Sequence, residues 1–79
     1  MNIDGKLIGK ELRSLRMKCG YSADYVCDRV DINISSLYKY ERDAGKCRLK
    51  ILQQLLNLYN VDIKIFFEVI SAYNHIGGE

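Results

Sequence analysis

Apolar residues recur at helical spacing from the start of the chain. Ile8, Leu12, Leu15 and Cys19 fall on one helical face while Lys10, Arg13 and Lys18 fall elsewhere, which predicts a helix over 6–19. Gly20 can close that helix in the left-handed region, and Ser22 can cap the next one with its side-chain oxygen. Val26, Cys27 and Val30 then mark a short helix over 23–30, interrupted by Asp31, Ile32 and Asn33. Asn33 is a good cap for a third helix over 34–40. There Leu37 and Tyr40 can face a core while Ser35, Ser36, Tyr38 and Lys39 point away.

Residues 42–46, with Asp43 and Gly45, read as a loop. Leu49, Leu52, Leu55, Leu56 and Tyr59 make the clearest amphipathic helix, closed by Asn60. Asp62 caps a fifth, in which Ile63, Phe66, Phe67, Ile70 and Tyr73 continue to about residue 74, leaving 75–79 as a short flexible tail. No stretch alternates long enough for a strand, so the expected fold is all-α, a compact five-helix single domain over 1–79 with its core over about 6–74.

A chain of 79 residues has room for one core and needs tight packing or some other staple to hold it. Its three cysteines form no CxxC pair and its one histidine, His75, falls in the expected tail, so neither disulfides nor a metal are expected. Cys19 and Cys27 read as buried small hydrophobes in a reducing cytoplasm. No basic leader precedes an apolar run, and charge breaks every apolar stretch, so neither a signal peptide nor a membrane span is expected.

The net charge is only +2, but it is unevenly spread. Residues 34–50 carry five basic and two acidic side chains, whereas 51–79 carry one and three. Lys39, Arg42, Lys46, Arg48 and Lys50 form the one sizeable cationic cluster, where a polyanion would meet the chain.

Two helices of about two turns, joined by three residues, are too short to stand alone and suit a helix-turn-helix. Residues 8–67 resemble the Cro and lambda-repressor-type (XRE) helix-turn-helix family, a likeness carried by the elements LRSLRMKCGYS, VDINISSLYKYER and LQQLLNLYNVDIKIFF. The resemblance implies a lambda-repressor-like domain whose third helix enters the major groove of double-stranded DNA, the docking geometry for which the family is itself the reference example. It implies base contacts from Ile34, Ser35, Tyr38 and Lys39, and backbone contacts from Ser22, Arg42, Lys46 and Arg48. Lys39 suits guanine, Ser35 a base or phosphate, and Ile34 a thymine methyl. Each has a plainer alternative: Ile34 extending the core, Tyr38 covering the second helix, Lys39 solvated or on a phosphate, and the loop charges simply solvated. Arg16 and Glu41 match the family's partly buried ion pair and are expected to be structural.

Four positions depart from the family pattern, one of them Cys47 in place of a frequent proline. Ala23 stands where a glutamine commonly contacts DNA, Asp31 replaces a turn glycine, and Asp43 replaces a loop glycine beside the expected phosphate path, where its charge would oppose binding. The function expected is a DNA-binding transcriptional regulator, most simply a cytoplasmic repressor. It would act as a homodimer, for which Phe66, Phe67, Ile70 and Tyr73 are the candidate interface, the plainer alternative being that all four close the core. The alternative is a protein-interaction module of the same fold, such as an antitoxin with weak DNA binding and a second protein partner. No constellation for catalysis and no cofactor motif is present in the sequence.

Overall fold

Asp4, Ser22, Asn33 and Asp62 each place a side-chain oxygen on a backbone N–H at the start of a helix, at 2.9, 3.1, 2.8 and 2.8 Å. The four caps satisfy amides that have no partner within their helices and so fix where those helices begin. The structure, a computed structural model, describes residues 4–77, and their side chains as far as Tyr73. Its helices are α1 (Gly5–Cys19), α2 (Ala23–Val30), α3 (Ile34–Arg42), α4 (Leu49–Leu58) and α5 (Ile63–Gly77), with a single 3₁₀ turn at Ala44–Lys46. Between helices the chain reverses through the left-handed region at Gly20, Asp31 and Asn60, with φ of 74°, 60° and 65°. Asp31 thus does the work of the missing glycine, since aspartate and asparagine enter this region more readily than other side chains.

Helix α3 continues two residues past the expected end at Tyr40. Asp43, in extended conformation, terminates it by donating its N–H to the Lys39 carbonyl, and the Asp43 carboxylate then accepts from Gly45 N–H at 2.9 Å. The expected loop is thereby partly helical. Helix α5 runs past residue 74 to Gly77, with no proline or earlier glycine to stop it; residues 78 and 79 of the expected tail lie outside the described residues.

Leu12 of α1, Val26 and Val30 of α2, Leu37 of α3, Leu52, Leu55, Leu56 and Tyr59 at and after α4, and Phe66 and Ile70 of α5 close a single core. Two expected members stay out of it. Cys19 is exposed because it ends α1, where its thiol reaches only the Tyr59 carbonyl at 3.7 Å. Leu49 is 60% exposed, since the first turn of α4, with Arg48 and Lys50 also exposed, projects past the core. Conversely, Phe66 and Ile70, expected at an interface, are fully committed to the interior, and Phe67 packs half-buried at its edge. Among the described side chains of α5, the large apolar residues that face outward are Ile65, Val69 and Tyr73.

Helix α1 meets the end of α3 backbone to backbone. A Cβ on Gly9 would lie 2.6 Å from the Tyr40 carbonyl oxygen and 2.7 Å from that of Glu41. A glycine-to-alanine change in an open helix stabilises by about 1 kcal/mol. Here the methyl meets rigid carbonyls, so G9A is expected to destabilise by about 1–3 kcal/mol, measured by urea denaturation. A stabilised variant would mean that α1 and α3 are not held this close.

Candidate nucleic-acid interface

The outer surface of α3 follows from what its inner surface must hold. Leu37 and Glu41, four residues apart, turn inward, and the rows on the far side carry Ile34, Ser35, Tyr38, Lys39 and Arg42. All five are exposed, Ile34 by 41% and Tyr38 by 47%. The core alternative for Ile34 is thereby removed. Ser36 and Tyr40 are half-buried instead, Ser36 having been expected to point away.

Glu41 fixes the orientation of this surface. Arg16 Nε donates to Glu41 Oε2 at 2.7 Å and Arg16 Nη2 to Oε1 at 3.1 Å, a two-pronged pair with side chains only 10% and 4% exposed. Arg16 Nη1 donates to the Tyr21 carbonyl at 3.1 Å. The guanidinium therefore ties α1, the turn after it and the last turn of α3 into one unit. Its hydrogen bonds to Glu41 push its pKa up, against the opposing effect of burial. Beside it, the Tyr59 hydroxyl is buried without a hydrogen-bond partner, and burial raises its pKa well above the ordinary phenol range.

Lys39, Arg42 and Lys46 line one depression with Asp43 and Gly45. The turn at Ala44–Lys46 thus brings Lys46 beside α3, though it lies seven positions after Lys39. Asp43 stands among these cations as the sequence implied, with one oxygen engaged by the turn. Arg48, the residue before α4, is exposed but not among the residues lining that depression, and Ser22 is exposed at the start of α2 with its oxygen already accepting from Tyr25 N–H. The structure thus gathers Lys39, Arg42 and Lys46, and leaves Ser22 and Arg48 at separate points. Ala23 is buried and offers this surface nothing.

Two cations were overlooked by counting charge along the sequence. Arg13 lines a groove between α1 and α3 with Arg16, Met17, Tyr38, Glu41 and Arg42. Its spacing three residues before Arg16 was the available signal. Arg29 lies over the Tyr25 ring, 4.8 Å from its centroid, in a cation–π contact that Tyr21 extends by stacking on Tyr25 at 4.7 Å.

Residues 7–64, from α1 into the first turn of α5, match the model of the helix-turn-helix domain family. The chain belongs to this family. The helix-turn-helix is α2 and α3, with Asp31 at its turn. Over 54 residues the chain is 37% identical to the HTH-type transcriptional regulator ImmR of Bacillus subtilis (strain 168), a match covering 68% of this chain and 42% of ImmR. The chain therefore spans less than half the length of that relative. Among solved structures, a mutant of the restriction-modification controller protein C.Esp1396I superposes with a TM-score of 0.78 over 94% of this chain and 95% of that one, at 14% identity. A second C.Esp1396I mutant gives a TM-score of 0.75 over 85% and 89%, at 15% identity. At such identities the likeness is one of fold, the lambda-repressor-like arrangement of helices.

The Arg16–Glu41 pair gives a direct test. Arg16→Ala or Glu41→Ala alone strands a buried charge and is expected to cost about 3–5 kcal/mol in urea denaturation, whereas the double variant R16M/E41L recovers most of the loss. Single variants as stable as the parent would show that the pair does not hold α3.

Proposed function

We propose that this helix-turn-helix chain is a DNA-binding transcriptional regulator that reads double-stranded DNA with α3 in the major groove. The observation that carries the reading is the outer row of α3. Ile34, Ser35, Tyr38 and Lys39 are exposed together, and Arg42 and Lys46 stand beside them in one cationic depression. A groove about 12 Å wide admits one helix with such side chains. Lys39 donates to guanine, Ser35 bonds a base or a phosphate, Ile34 packs on a thymine methyl, and Tyr38 covers the neighbouring step. Ser22, Arg42, Lys46 and Arg48 contact the backbone and set position without specifying sequence. With Ala23 buried, specificity falls on α3.

The simplest mode of action is repression, by occupying a promoter in the cytoplasm. The reading includes no catalytic step. It also includes a homodimer, because one recognition helix covers few base pairs and two would read half-sites about 34 Å apart. The dimer face assigned is the row Ile65, Val69 and Tyr73 on α5, which are 58%, 37% and 52% exposed at successive intervals of four.

Titration against duplex selected from a random library, at several salt concentrations, tests the reading. Affinity should fall steeply as salt rises. Lys39→Ala is expected to relax preference at one base position by about 1–3 kcal/mol, while Arg42→Ala weakens all sequences alike. Absence of binding at low salt would leave the protein-interaction alternative. For the dimer, Val69→Asp is expected to shift sedimentation to the monomer without loss of helicity; an unchanged mass would place the interface elsewhere.

A further inference from the structure

Both flanks of α3 are concave and cationic. On the turn side lies the depression of Lys39, Arg42 and Lys46. On the α1 side lies the groove lined by Arg13, Arg16, Met17, Tyr38, Glu41 and Arg42. Within this second groove Arg16 and Glu41 neutralise each other through their paired hydrogen bonds. Arg13 and Arg42 are the two charges left over, and among the described residues no other carboxylate lines the groove. Arg42 lines both concavities, so it stands on the ridge between them, in line with the reading row of α3.

A major groove has a phosphate backbone on each side. A helix lying in it presents its two flanks to the two strands, and a cationic hollow on each flank matches that geometry. We infer that Arg13 is a phosphate contact, holding the strand on the α1 side of α3 while Lys46 faces the other strand. The contact rests on the DNA-binding reading above. A guanidinium suits the role because its planar fork pairs with two phosphate oxygens at once. Met17, 57% exposed, and Tyr38 form an apolar wall beside it, against which the sugar of the same nucleotide can pack. Arg13 carries no base information in this arrangement. It sets how tightly, and at what angle, α3 is seated.

The experiment compares the salt dependence of duplex binding for the parent chain, R13A and the control K64A, whose lysine is exposed on α5 outside both hollows. For R13A the slope of log K against log salt should become shallower by about 0.9, with affinity at low salt reduced about three- to tenfold, equally for preferred and random duplex. Thermal midpoints of R13A and the parent should coincide, since Arg13 is exposed. An R13A slope matching that of K64A and the parent would overturn the assignment while leaving DNA binding intact. A loss confined to one base position would overturn it too, by making Arg13 a base contact. If the parent chain binds no duplex at any salt, the DNA reading fails first and takes this contact with it.

Discussion

Everything on the outer face of α3 depends on one buried charge pair. A helix of nine residues cannot hold itself at a fixed angle in water. Leu37 gives α3 an apolar anchor, but a single leucine leaves it free to roll. The two-pronged bond from Arg16 to Glu41 removes that freedom, because a planar guanidinium can donate to both oxygens of a carboxylate in few orientations. The backbone contact at Gly9 sets the depth at which the helix lies, and the charge pair sets its rotation. Rotation by one residue would exchange Tyr38 and Lys39 for inward-facing neighbours, so the pair defines which side chains are presented.

The pair also explains how a basic surface survives beside a buried cation. Arg16 spends donors on Glu41 and on the Tyr21 carbonyl. It therefore adds little net charge to the groove it lines, and the field there comes from Arg13 and Arg42. Pairing serves Glu41 equally, because a carboxylate engaged by Arg16 at both oxygens opposes an anion in the hollow on the α1 side less than a free one would.

Helix number and starts were legible because they rest on local chemistry: spacing of apolar residues, and Ser22, Asn33 and Asp62 as caps. The exposed row on α3 was legible from the same spacing, with the family pattern to say what it is for. The link between Arg16 and Glu41 spans 25 positions, and no local rule predicts it; only the resemblance supplied it. Gly9 reads as a weak point in a helix until α3 is laid against it. The groove holding Arg13 exists only once two helices are packed. Periodicity misassigned the ends, where Cys19 and Leu49 continue a stripe that the core does not reach.

Helix α5 carries a different lesson. Its apolar residues were read as one wide face, yet they divide into Phe66 and Ile70 inside and Ile65, Val69 and Tyr73 outside. A helix whose apolar face is wider than the core it covers joins the interior of one chain to whatever covers the rest of that face. If a second copy covers it, folding and association draw on the same helix, and the native state gains stability as chain concentration rises. Scarce chains would then be more exposed to proteolysis than abundant ones. Such a chain would register its own abundance through its survival, without a ligand to report it.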